Sequence, residues 1–268
     1  MRRFMSLVTR TLVGLALAVA ISLAARRAHA LSWSGGVAAT VMGVAATAAG
    51  WRWCVLLLAF FLSSTLLSRW RRETKERATR AVVEKGGARD AWQVLANGGV
   101  FTVCALGSVA LPSALWATAG LGALAAATAD TWATEVGTAV GGVPRRVLGW
   151  SAVATGTSGA VTVAGTIAML AGAACLGTLA WWIGLKWQGA LAGGVGGVAG
   201  AVVDTLLGAT LQSQRWCASC GAPTERRVHD CGHPSAPRAG WGRLDNDGVN
   251  LTSCAAGAVV ALLCGSLS

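Results

Sequence analysis

Charge is scarce in this chain: Asp, Glu, Lys and Arg together make up 12% of its 268 residues. No stretch between its apolar runs has the size and composition of a soluble domain, which excludes a water-filled fold of that kind. Its three histidines, His29, His229 and His233, all lie outside the apolar runs, so none can serve as a base within a span. No Lys follows the hydroxyl-rich Thr155–Ser158 turn, which excludes a Walker A phosphate loop. No internal repeat with paired broken helices is visible, as a transporter of that architecture would carry. No alternating base-stacking aromatics accompany the net charge of +11. That charge is therefore assigned to the cytosolic bias of membrane proteins and not to nucleic-acid binding.

What fills the chain is apolar: 54% hydrophobic residues, 36 glycines and a mean hydropathy of +0.57. This composition predicts an all-α, polytopic helical protein integral to a lipid bilayer, with about seven or eight membrane segments. The runs fall at residues 12–25, 35–50, 53–67, 91–111, 112–129, 158–185, 190–211 and 249–267. Residues 1–30 read as a first span; Ala28 and Ala30 also fit a small-x-small cleavage site, so a targeting segment is the alternative. Residues 31–268 form a single helical membrane domain with a cytosolic Cys/His loop at 212–245. Trp33, Trp51, Trp53, Trp70, Trp92, Trp150 and Trp187 flank the runs, as an interfacial belt would. The basic loops at 69–90, 145–146 and 212–245 share one side, predicted cytosolic, which leaves Arg2 and Arg3 opposite. Cys54, Cys104, Cys175, Cys254 and Cys264 sit in apolar runs as packing residues.

A carboxylate near hydrocarbon costs about 2.5–3.5 kcal/mol on insertion scales, so the acids in the runs need a cause. Asp130 and Glu135 stand at the far end of an apolar run, with Thr131 and Thr134 between them. On one continuous helix, side chains five residues apart diverge by about 140°. The pair can share a ligand only if a cleft surrounds the helix end or the helix breaks, and Gly137, Gly141 and Gly142 suggest a break. Asp204 lies deeper, inside the run at 190–211, and asks for a metal or an arginine partner. Arg89, Gln93 and Asn97 recur every four residues along one stripe, with Asp90 placed to cap the helix. Gly156, Thr157, Ser158 and Gly159 put glycines and hydroxyls at an expected helix start, where backbone N–H groups would cradle phosphate. Asn246, Asp247 and Asn250 line one face at the start of the last span, a set suited to hard cations and nucleotides.

The basic loop holds a different chemistry. Cys217 and Cys220 have zinc-knuckle spacing, and His229 and Cys231 follow with His233 as a substitute. These four could bind a structural Zn2+ tetrahedrally, since cytosolic thiols stay reduced.

Taken in order, five motifs carry a resemblance: Trp92-Gln93-Val94 with Asn97-Gly98; residues 129–137; Gly156 to Gly159; residues 204–212; and residues 245–250. Together they resemble the transmembrane protein 19 family, also called domain of unknown function 92, over residues 69–263. Ser158 and Asp247 stand where some members carry Asn, and Thr134 where many carry Ser. The resemblance implies a prenyl-phosphate kinase; plant members resemble phytyl-phosphate kinases that use a nucleoside triphosphate, CTP being favoured. On that basis Asp130, Glu135 and Asp204 are assigned to Mg2+, and Lys85, Arg89 and Arg243 to phosphates. Gly156, Thr157, Ser158 and Gly159 form the backbone cradle. Asn97, Asn246 and Asn250, with Asp247 beside them, orient nucleotide or acceptor. The implied partners are the bilayer and an isoprenoid phosphate, whose tail would lie between Gly- and Ala-rich helices. A prenyl-alcohol kinase, a cytidylyltransferase and a transporter are the rival readings.

Overall fold

A computed structural model describes residues 2–84 and 86–266; Lys85, assigned above to phosphate, lies outside the described residues. The apolar runs form α1 (Arg2–Arg27), α2 (Trp33–Ala49), α3 (Trp51–Arg69), α5 (Ala91–Ala110), α6 (Ala114–Val140), α7 (Val163–Trp182), α8 (Trp187–Thr210) and α9 (Asn246–Ser266). The short charged α4 (Arg72–Thr79) lies in the loop after α3 and was not expected from hydropathy. Of these helices, α1, α3, α5, α7, α8 and α9 are long and apolar enough to cross a membrane, and α2 is apolar but shorter. The 27 residues of α6 would reach about 40 Å.

Local chemistry sets the helix starts. Ser32, Ser113 and Thr162 accept backbone N–H bonds from Gly35, Leu115 and Gly165. Asp90 and Gln93 form a full capping box at the start of α5. The break expected at Gly137 is absent: α6 runs unbroken past Glu135 to Val140 and ends where Gly141 and Gly142 take φ of 83° and 107°. Gly137 serves close approach instead, because a Cβ there would lie 2.8 Å from Thr162 Oγ1 of the neighbouring loop.

The core is built around α6, which is buried continuously from Thr118 to Ala129. Glycines let α8 and α9 approach it and each other backbone to backbone. A Cβ on Gly257 would stand 2.7 Å from Gly122 O, one on Gly196 2.3 Å from Gly257 O, and one on Gly200 2.7 Å from Ser253 O. Small residues of this kind let helices pack by van der Waals contact in lipid, where no hydrophobic drive between helices exists. Gly257→Val is therefore expected to lower stability by about 1–3 kcal/mol, the usual range for overpacking. Thermal unfolding of the detergent-solubilised protein checks this.

The helix ends sort by charge. Arg69, Arg71, Arg72, Lys75, Arg80, Arg89, Arg145, Arg215, Arg226 and Arg243 gather at the face holding the C-terminal ends of α6 and α8, whereas Arg10, Arg52 and Lys186 mark the opposite face. Trp33, Trp51, Trp70, Trp92, Trp150 and Trp187 are exposed as expected of a belt. Trp53 is a correction: it is buried, with its ring 5.1 Å from Phe101 and against Gly120. The packing assignment fits the buried Cys104 and Cys254, but Cys175 is exposed.

Two small sheets interrupt the helical plan. β1 (Arg145–Arg146) pairs antiparallel with β2 (Ala160–Val161), Arg145 opposite Val161. In the Cys/His loop, β3 (Gln214–Cys217) lies between β4 (Ala222–Thr224) and β5 (Ala236–Ala239). That loop docks on the segment after α4, where Glu225 N and Arg226 Nη1 donate to Val82 O and Arg80 O.

Candidate functional site

A cavity of about 1010 Å3 opens at the basic face. Its wall includes Asp130, Glu135, Asp204, Arg89, Asn97, Gly156, Thr157, Ser158, Gly159, Arg243, Asn246, Asp247 and Asn250. Five separate segments thus supply one pocket, as the polar residues in the runs required.

The helix packing explains the convergence. α6 and α8 run side by side, and their carboxyl groups at Asp130 and Asp204 lie within hydrogen-bonding reach of each other. Asp204 Oδ2 is buried and has no hydrogen-bond partner. A carboxyl pair in that position calls for a shared proton or a cation between the two groups. Asn97 is turned so that its amide nitrogen donates to Gln93 O at 2.9 Å, which leaves its side-chain oxygen toward other partners.

Glu135 does not join the pair. Because α6 is unbroken, it points elsewhere on the cavity wall, where Lys75 Nζ and Ser68 Oγ hold its two oxygens. Lys75 also donates to Leu67 O at 2.6 Å and Ser68 O at 3.0 Å, so it caps the carbonyl end of α3 as well. Arg89 Nη2 donates to Ser68 Oγ at 3.3 Å. Burial lowers the pKa of Arg89 and the Glu135 charge opposes that shift. Glu135, assigned above to Mg2+, is thus engaged by Lys75 and Ser68 and stands apart from the Asp130–Asp204 pair.

The expected cradle at Gly156–Gly159 differs in the same concrete way. The segment is a turn ahead of β2, with φ of 90° at Gly156 and 72° at Gly159, and α7 starts only after Thr162. Gly159 is pressed against α8: a Cβ there would lie 2.3 Å from Ala209 N. The turn still faces the cavity, but it does not open a helix: the last turn of α8 lies behind Gly159, and α7 begins after Thr162.

Among the cavity residues that sequence reasoning missed are Gln212, Arg215, Glu225 and Arg227. Nothing in the local pattern marks them, because the Cys/His loop folds them inward over long sequence distances. Glu225 accepts from Ser158 Oγ and from Gln212 Nε2 at 2.9 Å. Desolvation raises its pKa above the ordinary 4.5, the Ser158 bond opposes this, and Glu84 adds to it. A raised folded value means that the protonated form suits the fold better, so stability falls as pH climbs from 4.5 through that value. Glu225→Gln keeps an acceptor for both donors without the charge. It is expected to match or exceed the wild type in thermal stability above that window and to lose this pH dependence, as thermal unfolding across the window will show.

The same cavity has an apolar wall: Ala39, Met42, Gly43, Leu57, Leu58, Phe60 and Phe61 line it from α2 and α3, with Ala18 and Ile21 from α1.

Beside the cavity the loop thiols and imidazoles cluster. One ligand atom from each of Cys217, Cys220, His229 and Cys231 lies within 4.8 Å of all the others. Cys217 Sγ is 3.6 Å from Cys231 Sγ, and His229 Nδ1 is 3.2 Å from Cys231 Sγ. The His229 hydrogen bond, aided by His233 and Cys220, lowers the pKa of Cys231 to about 5. The reciprocal bond to Cys231 raises that of Cys220 to about 11. The substitute ligand His233 is set further back, its Nδ1 3.6 Å from Cys231 Sγ.

Comparison with known proteins bears on the whole arrangement. The family model described as integral membrane protein DUF92 matches residues 16–258. Protein PGR of Arabidopsis thaliana is 29% identical over 252 residues, covering 83% of this chain and 85% of that protein. An uncharacterized membrane protein of Methanocaldococcus jannaschii is 27% identical over 261 residues, covering 97% and 96%. Another, from a Synechocystis strain, is 32% identical over 183 residues, covering 66% and 70%. No solved structure matches the chain. The matched span takes in α2 through most of α9 and with them every described residue of the cavity wall. The chain belongs to the integral membrane protein DUF92 family.

Proposed function

We propose that this chain is an integral-membrane prenyl-phosphate kinase. It would move the terminal phosphoryl group of a nucleoside triphosphate, CTP being favoured, to an isoprenoid monophosphate and so form the diphosphate. One observation carries the reading: a single cavity combines the Asp130–Asp204 carboxyl pair, four arginines and three asparagines with an apolar wall from α1, α2 and α3. A polar headgroup with an isoprenoid tail is the kind of molecule that such a cavity accommodates.

Phosphoryl transfer asks mainly for positioning and for neutralisation of charge. Arg89, Arg215, Arg227 and Arg243 on the cavity wall would supply positive charge to phosphate oxygens. Asn97, Asn246 and Asn250 offer amide groups to a base, a ribose or the acceptor phosphate. Asp130 and Asp204 are the residues that would hold Mg2+, and the partnerless Asp204 Oδ2 fits that assignment. When bound, the ion would neutralise charge on the phosphates. A phosphate monoester is largely ionised at neutral pH, its second pKa being about 6, so the acceptor needs no strong base. That agrees with a cavity wall free of histidine among the described residues.

The test uses purified protein with Mg2+, nucleotides labelled on the terminal phosphate, and a panel of prenyl alcohols and prenyl monophosphates. Label entering the monophosphates as diphosphate is the expected result. Label entering only the alcohols would replace this reading with an alcohol kinase, and transfer of the nucleotidyl group would replace it with a cytidylyltransferase. No labelled lipid from any acceptor contradicts it.

A further inference from the structure

We infer that Cys217, Cys220, His229 and Cys231 form a structural Zn2+ site that fixes the Cys/His loop over the cavity. This goes beyond the kinase reading and does not depend on it. The ligand atoms already have the right spread: sulfurs on one tetrahedral zinc at bonds of about 2.3 Å stand about 3.8 Å apart. Cys217 and Cys231 are 3.6 Å apart, close to that value. The same gap is far too long for a disulfide, whose sulfurs sit about 2.05 Å apart. The fourth ligand is a nitrogen, with His229 buried and its Nδ1 turned to Cys231. A mixed thiolate and imidazole set of four is characteristic of closed zinc sites.

The loop also needs such a bond. Along β3, β4 and β5 the only buried residues are Cys217 and Thr224, so three short strands share almost no apolar core. Small units of this kind depend on a staple. Two turns bring the ligands together, one through Gly221 at φ 60° and one through Gly232 at φ 84°. The gain is positional. β4 leads directly from the Cys217–Gly221 turn to Glu225, which reaches into the cavity and holds Ser158. A metal at the turn would therefore fix Glu225 and, through it, the Gly156–Gly159 turn.

Metal analysis of the full-length protein, purified in detergent without chelators, tests the assignment. About one zinc per chain is expected in the wild type and in Cys175→Ser, falling to below about a tenth in Cys217→Ser. The single variant could misfold, so Co2+ loading of the wild-type chain provides a second reading. Tetrahedral thiolate coordination gives intense visible d–d bands with sulfur-to-cobalt charge transfer in the near ultraviolet. Stripping zinc should also speed trypsin cleavage after Arg226 and Arg227 by about tenfold or more, as expected when a closed local structure opens. Wild-type protein without stoichiometric zinc and without the cobalt bands would overturn the proposal, as would iron with acid-labile sulfide in its place. Loss of zinc with kinase activity intact leaves the functional reading standing, so the two can fail separately.

Discussion

Asp204→Asn is expected to reduce phosphoryl transfer by about a hundredfold or more while the protein remains folded. Metal-assisted charge stabilisation is worth several kcal/mol, and each 1.36 kcal/mol is about a factor of ten in rate. The asparagine is close in size to the acid and keeps one acceptor oxygen. It removes the negative charge that, with Asp130, makes this corner of the cavity attractive to a cation. Stability should hold or rise, because the buried Oδ2 has no partner to lose and the repulsion between the two acids is relieved. Activity and stability therefore move independently or in opposite directions. A residue kept only for helix packing would lower stability when changed and leave turnover per folded molecule intact. Initial rates at saturating nucleotide, together with thermal midpoints of the same preparations, separate the two cases.

Lys75→Met is expected to destabilise the fold by about 3–5 kcal/mol, the range for a buried ion pair that loses one partner. The pair with Glu135 is well enclosed, with side chains 9% and 20% exposed. All three protons of the ammonium have acceptors: Glu135, Leu67 O and Ser68 O. Methionine fills the space but abandons the carboxylate and two carbonyls at the end of α3. Lys75→Arg should not restore the wild type, because a planar fork cannot reach three acceptors set around a point charge. Lys75→Met with Glu135→Gln should recover part of the loss, since the stranded charge is gone. Chemical denaturation of the wild type, Lys75→Met, Glu135→Gln and the double variant gives the coupling directly. The same change should weaken nucleotide binding, because Ser68, which donates to Glu135, also accepts from Arg89.

Much of this was readable from residues alone, and the reasons are physical. Apolar runs near membrane length located most of the helices to within a few residues, since hydrocarbon tolerates few other patterns. However, α1 begins ten residues before its run and α6 continues eleven residues past its own. Asp204 could be singled out because a charge in a span needs a partner, and Asp130 supplies the other half of that explanation. The cluster of Cys217, Cys220, His229 and Cys231 was legible from spacing, because metal sites constrain it tightly. Other features escaped because they depend on partners distant in sequence. Lys75 looks like one more solvated charge in a basic loop until α4 packs it beneath α6. Glu225 looks like a loop acid until β4 turns it into the cavity. Gly137 suggested a helix break when taken locally, yet α7 had already claimed it as a contact point. Trp53 followed the pattern of an interfacial residue and is instead held in the core by Phe101 and Gly120.

The central claim is that acids from two different helices hold one cation beside the nucleotide. Mn2+ bound in the presence of non-hydrolysable CTP, counted by electron paramagnetic resonance, tests it most directly. The account expects about one tightly held ion per wild-type chain, with six-coordinate oxygen ligation, and its loss in Asp130→Asn and in Asp204→Asn alike. Equal Mn2+ binding in the wild type and both variants would contradict it.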